Sequence, residues 1–191
     1  MTTTINNLKD QIVQLEREKW QDYPLASHYI SEHYYDVSIA QESEGFQVAF
    51  TKKPFPVPYK KMPDDHDKLF QPWWDDVKAW GIIHEGQLIA AIETSIEGYS
   101  NRLRVTELWV DDAYRRQGIA YALMDKAVQR ARNEQRRAVI LETQSCNEGA
   151  ISFYLKYGFS LIGFDACAYE NNDIKRKEVR MEMGLFLEIS E

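Results

Sequence analysis

At 191 residues, with 44% hydrophobic and 28% charged content, the chain has the length and balance of one soluble globular domain that buries most of a single core. A formal net charge of −7 excludes nucleic acid as the main partner, because phosphate binding draws on clustered Lys and Arg. It suits a cationic small molecule or a basic peptide, or serves solubility alone. Two cysteines, Cys146 and Cys167, make no disulfide framework, and with four scattered histidines no zinc spacing arises, so a reduced setting without metal is expected.

In chain order, "MTTTINNLKDQIVQLEREKW" is polar with interspersed apolar residues and reads as neither signal peptide nor membrane span. With no apolar window of spanning length elsewhere, a cytoplasmic protein with no membrane partner is expected. Ile5, Leu8, Ile12 and Leu15 recur every three to four residues, which predicts a helix over 5–20. "FQVAFTKKPFPVPYKKMP", residues 46–63, begins as a strand and then meets four prolines, which break helices and central strands. Residues 54–76 therefore read as an irregular excursion, and Trp73, Trp74, Asp75 and Asp76 there read either as packing residues or as an acidic, aromatic lid over a cation.

From Lys78 the pattern sharpens. "AWGIIHEGQLIAAIETSIE" predicts a hairpin turning at Glu85-Gly86, and "RLRVTELWV", residues 102–110, a third strand. Ile119, Ala122, Leu123, Ala127 and Val128 lay an apolar stripe along a helix over 118–135. "AVILETQ", residues 138–144, reads as a buried strand, and "NEGAISFYLKYGF" as a short helix closed by Gly158. Two more strands follow, around "SLIGFDACAY" and "EVRMEMGLFL". The strand–helix–strand unit in the middle crosses over right-handedly and lays its two strands parallel, so the fold class is mixed α/β, one sheet with helices packed on it.

The stretch "DDAYRRQGIA" between the third strand and its helix carries the most chemistry. A helix start leaves about four N–H groups without intrahelical partners and bears a partial positive charge, which suits a pyrophosphate. Gly118 lets backbone approach closely, and Arg115 and Arg116 add planar donors. On chemistry alone the turn reads equally as a phosphate cradle or as a solvated basic turn with a glycine needed for geometry. It contains neither G-x-x-x-x-G-K-[ST] nor G-x-G-x-x-G.

"RRQGIA", Arg115 to Ala120, resembles the [RQ]-x-x-G-x-[GA] signature of the GNAT superfamily of N-acetyltransferases, and "NEGAISFYLKYGF" resembles its second motif. The resemblance spans about residues 78–187. It implies a single GNAT-like α/β domain over 1–191: a central, mostly antiparallel mixed sheet with splayed parallel central strands, flanked by helices. Residues 1–77 would form a divergent, substrate-side part and 78–187 the acetyl-CoA-binding core. It implies acetyl-CoA as cosubstrate, held by Arg115, Arg116, Gln117, Gly118, Ile119 and Ala120 at the diphosphate, by the backbone of Leu108, Trp109 and Val110 at the pantetheine arm, and by Asn147 near the thioester. Homodimers are frequent in the family, though no residue here specifies an interface. "LETQSCNEGAISFYLKYGFSLIGFDACAY" is further similar to the streptothricin acetyltransferases, which acetylate an amine on the β-lysine part of a cationic antibiotic.

Acetyl transfer to an amine needs a base for the ammonium, a polarised thioester and a proton for the leaving thiolate. Direct attack needs no enzyme nucleophile, so neither cysteine is required. By sequence alone Tyr154 reads as a core aromatic beside Phe153 and Tyr157; the resemblance makes it the acid. The strand carboxylates Glu93, Glu107 and Glu142 are the candidate bases. Glu142 lies in an apolar strand, where an unpaired carboxylate is costly unless it faces a wet cleft and where burial raises its pKa. Ribosomal-protein alanine acetyltransferases carry their base in a similar L-E position, twelve residues before the tyrosine, which ranks Glu142 first and Glu107, through a water, second. A protein or peptide N-acetyltransferase and a noncatalytic coenzyme A-binding module stay open as alternatives.

Overall fold

The computed structural model describes residues 5–63 and 66–188. In chain order the elements are a 3-10 segment Ile5–Gln11, β1 (Val13–Leu15), α1 (Arg17–Trp20), β2 (Tyr29–Glu42), β3 (Gly45–Lys61), β4 (Lys78–His84), β5 (Gln87–Glu97), β6 (Arg102–Val110), α2 (Ile119–Asn133), β7 (Ala138–Gln144), α3 (Glu148–Tyr157), β8 (Ser160–Asp165), α4 (Asp173–Arg176) and β9 (Arg180–Phe186). The predicted elements from Lys78 onward recur here to within a few residues. Two readings of the N-terminal third do not. Residues 5–20 form a 3-10 turn, a strand and one helical turn rather than a helix, because Val13–Leu15 pairs antiparallel with Ala79–Gly81. Residues 54–61 continue β3 instead of dissolving into irregular chain. Tyr29–Glu42, unassigned from sequence, is a 14-residue strand. The excursion is thus reduced to the chain between β3 and β4, of which Asp64 and Asp65 lie outside the described residues.

The described residues divide into two compact units, 5–27, 63, 66–140 and 186–188 forming one and 28–62 and 141–185 the other. In the first, the strand order is β1-β4-β5-β6-β7; in the second, the order β7-β9-β8 continues the ladder, so that β7 contributes to both and the mixed sheet has seven strands. β1 with β4, β4 with β5, β5 with β6 and β8 with β9 pair antiparallel, whereas Arg102–Arg104 of β6 runs parallel to Ala138–Ile140 of β7, as a strand–helix–strand crossover requires.

In the first unit, the β4–β5 turn places Glu85 at φ 50° and Gly86 at φ 81°, the left-handed pair that matches the twist of a two-residue hairpin. Leu15, Trp20, Leu25, Leu69, Phe70, Ala79, Leu88, Ala91 and Trp109 pack as one apolar cluster. The stripe of α2 (Ile119, Leu123, Met124, Ala127 and Ala131) is buried, each large side chain contributing about 1.5–3 kcal/mol. Arg130 on the same helix is 5% exposed. Its five N–H groups are all used: Nη1 donates to Thr94 O at 3.0 Å and to Thr94 Oγ1 at 2.9 Å, Nη2 to Asp76 O at 2.8 Å and Asp76 Oδ2 at 2.7 Å, and Nε to Glu134 Oε1 at 3.0 Å. Asp76 is thereby tied to the helix, and the Asp75 carbonyl accepts from Ser95 Oγ and Ile96 N, so this pair has structural work to do; Trp73 is 60% exposed.

In the second unit, β2 and β3 form a separate two-stranded ribbon. Its register shifts between Ser31 and His33, so that residues 55–58 of β3 face only Glu32. Tyr34, Phe55 and Tyr59 stack along it, with centroids 4.6 Å apart for Tyr34–Phe55 and 5.5 Å for Phe55–Tyr59.

Candidate active site

In the first unit, β6 runs straight into the signature turn. Leu108, Trp109 and Val110 pair with Ile92, Ala91 and Ala90 of β5, and Trp109 is buried in the apolar cluster. One residue upstream, Glu107 stands opposite Glu93, while Val105 stands opposite Thr94, so Thr106 is an extra residue and β6 carries a bulge there. The parallel register with β7 covers Arg102–Arg104, before the bulge. This is the geometry expected for strands that part beyond their shared start.

The turn itself is braced from within. Asp111 Oδ1 accepts from Ala113 N at 3.0 Å, and Arg115 donates from Nε to the Val110 carbonyl at 2.9 Å and from Nη2 to Asp112 Oδ1 at 2.9 Å. Arg115 therefore shapes the loop as well as charging it. Arg116 is exposed, with a left-handed φ of 60°, and Gln117 Nε2 reaches back to Ala113 O at 3.3 Å. Gly118 is the N-cap of α2 at φ 79°, and its carbonyl accepts the first helical bond, from Ala122 N. The N–H groups of Ile119, Ala120 and Tyr121 precede that bond, no side chain caps the helix, and its first turn holds no acid. The contrast with α3 is sharp: there Asn147 Oδ1 accepts from Ala150 N at 3.1 Å and Glu148 adds a carboxylate. A helix start left without cap or carboxylate is set up for an external anion. Lys9 adds a third cation, which sequence did not flag: its Nζ lies 2.9 Å from where a Cβ on Gly118 would stand.

Glu93 is fully buried, and burial pushes its carboxyl above the usual range against the pull of bonds from Phe70 N and Thr106 Oγ1. At the other end of the same hairpin, burial also pushes Glu97 up, but the guanidinium groups of Arg104 and Arg102 outweigh it and hold the carboxyl below the usual range.

In the second unit, Tyr154 lies on α3, 9% exposed, its ring 5.4 Å from Phe153 and 5.8 Å from Phe159. Asn147 caps the same helix. Glu142 departs from expectation: it is the exposed position of an otherwise buried strand, and its carboxylate pairs with Arg180 at 2.7 Å. Glu142 is therefore not the buried carboxylate that its apolar neighbours in sequence suggest: Ala138 and Ile140, four and two residues earlier on the same face, are buried while Glu142 itself is exposed. Arg180, 38 residues later on β9, also binds Glu182, and no local sequence signal linked it to Glu142. Burial raises the Cys146 thiol to about 11 despite its contact with Tyr29, and a bond to Asp165 raises that of exposed Cys167. Neither offers a thiolate at neutral pH, in keeping with direct attack. Among the described residues no group of three or more His, Cys, Asp or Glu is placed to hold a metal, and no helix is long and apolar enough to cross a membrane.

Residues 46–159, which contain both motifs, match the Acetyltransferase (GNAT) family. The chain belongs to that family. As a GNAT enzyme it is an acetyl-CoA-dependent N-acetyltransferase. It is 26% identical over 158 residues to a streptothricin acetyltransferase of Escherichia coli, covering 81% of this chain and 83% of that protein. It is 29% identical to streptothricin acetyltransferase A of Bacillus subtilis (strain 168), covering 64% and 70%. Among solved structures, a protein of Bacillus anthracis str. Ames, named as a candidate streptothricin acetyltransferase and solved in complex with acetyl coenzyme A, superposes with a TM-score of 0.70 at 22% identity, covering 92% of this chain and 98% of that one. That likeness establishes the GNAT fold for the chain.

Proposed function

We propose that this GNAT enzyme works in the cytoplasm on a primary amine of a cationic small molecule, with the β-lysine amine of streptothricin as the favoured acceptor. The observation that carries this reading is the extent of the relationship to the E. coli streptothricin acetyltransferase, which takes in 81% of the chain and so reaches beyond the shared coenzyme-binding motifs. The net charge of −7 is of the sign that attracts such a substrate.

In this reading the main-chain donors at 116–120 hold the coenzyme diphosphate, helped by the charges of Arg116 and Lys9, and the backbone of Leu108–Val110 orders the pantetheine arm. The amine loses its proton to a carboxylate and attacks the thioester carbon; the C–S bond breaks, and Tyr154 returns a proton to the thiolate. Glu142 is the first base to test. It pairs with Arg180, and a substrate ammonium would compete with that guanidinium for the same oxygens. Glu107, beside the bulge, is the second.

Thiol release from acetyl-CoA, followed against streptothricin, simple diamines and peptides, tests the assignment. Turnover with streptothricin far above that with peptides is expected. Turnover confined to peptides would make the enzyme a protein N-acetyltransferase, and coenzyme binding without turnover across the panel would make it a noncatalytic module; either result overturns the proposal.

A further inference from the structure

Glu93 is a carboxylate with no exposed surface, set in an apolar hairpin where Ile or Val would pack at lower cost. Its two oxygens go to two irregular points of the backbone. Oε1 accepts the Thr106 hydroxyl at 2.9 Å, and Thr106 is the extra residue of the β6 bulge. Oε2 accepts the Phe70 N–H at 2.5 Å, and Phe70 sits at a left-handed φ of 59°, a conformation that a bulky side chain adopts only when its surroundings impose it. The Arg17 guanidinium lies 5.4 Å from the centroid of the Phe70 ring, and its charge also favours the ionised form of Glu93. No apolar residue at position 93 could accept either bond.

We propose that Glu93 is a positioning residue for acetyl-CoA binding: by gripping Thr106 it fixes the bulge, and with it the direction in which Glu107 and the backbone of Leu108–Val110 are presented. This rests on the reading that this end of β6 orders the pantetheine arm. A bulge re-aims the residues that follow it, and loss of its anchor lets the strand slip toward regular pairing, which moves every later residue to the opposite face. Glu93 meets neither substrate nor coenzyme in this account; it acts through Thr106.

The test is the Thr106 pair of variants. Thr106→Val keeps the shape and deletes the donor, and the KM for acetyl-CoA is expected to rise about tenfold, the scale of one lost bond to a charged group, while the KM for the amine stays put. Thr106→Ser restores the donor and the wild-type KM, a difference that packing alone would not produce. Glu93→Gln should follow Thr106→Val in the same direction. Gly118→Val, run alongside, separates the premises. If it abolishes coenzyme A binding by calorimetry while Thr106→Val, folded by circular dichroism, keeps the wild-type KM, the role of Glu93 is refuted and the coenzyme site stands. If Gly118→Val binds coenzyme A normally, the coenzyme site is wrong and the role of Glu93 falls with it.

Discussion

Replacing Tyr154 with phenylalanine is expected to lower kcat about a hundredfold, the scale of removing a general acid, while the KM for acetyl-CoA and the melting temperature change little. The substitution removes one hydroxyl and keeps the ring that packs against Phe153 and Phe159, so the buried face of α3 retains its apolar contacts. A thiolate must otherwise leave without a proton, and the neighbouring Phe153 has no acidic proton to supply. Steady-state kinetics with a thermal melt decides the matter. An unchanged kcat would remove Tyr154 from catalysis and leave it as the core aromatic that its neighbours suggest.

Arg130→Met is expected to cost about 3–5 kcal/mol of stability, read as a fall in melting temperature of about 10 °C, because it removes a buried cation whose every N–H is engaged. The methionine fills the volume of the stem and supplies none of the donors. Thr94 O, inside the sheet, loses this donor, and Glu134 keeps Lys78 and Arg136. The bond to Asp76 contributes least, since that carboxylate is 60% exposed and its pairing is screened by water. The exposed neighbour Arg132, changed to methionine, should stay within about 0.5 kcal/mol of wild type. Equal melting temperatures for the two variants would show that the network around Arg130 carries no net stability. Since α2 begins at Gly118, a loosened helix should also weaken coenzyme binding.

What the sequence revealed follows from how local each signal is. The Glu85-Gly86 turn, the run from Arg102 to Val110, the apolar stripe of α2 and the glycine that ends α3 are each decided by residues within a few positions of one another, and each lies where it was expected. The ribbon of β2 and β3 was hidden by its prolines. Pro54, Pro56 and Pro58 break a central strand, but a two-stranded ribbon has two outer edges, and Pro56 and Pro58 fall in the irregular stretch that faces only Glu32, where no ladder bond is asked of them. The N-terminal helix failed for the opposite reason: Leu8 and Leu15 have helical spacing by coincidence, and the partner that makes Leu15 a strand residue is Ala79, 64 positions away.

The candidate site divides along the same line. The uncapped glycine start of α2 was legible because the motif is contiguous. The company kept by its residues was not: Lys9 laid over Gly118, Arg180 paired with Glu142, and Thr106 bonded to Glu93 all depend on chain folded from elsewhere. Glu142 shows how this changes the chemistry. In sequence it is a carboxylate in an apolar strand; in the fold it is the exposed residue of that strand, with an arginine beside it.

The most direct test of the whole account is a crystal structure of the enzyme with coenzyme A bound. Diphosphate oxygens within hydrogen-bonding distance of the main-chain N–H groups of residues 116–120 are the predicted result. A diphosphate held at another part of the chain, with those amides left to water, would contradict it.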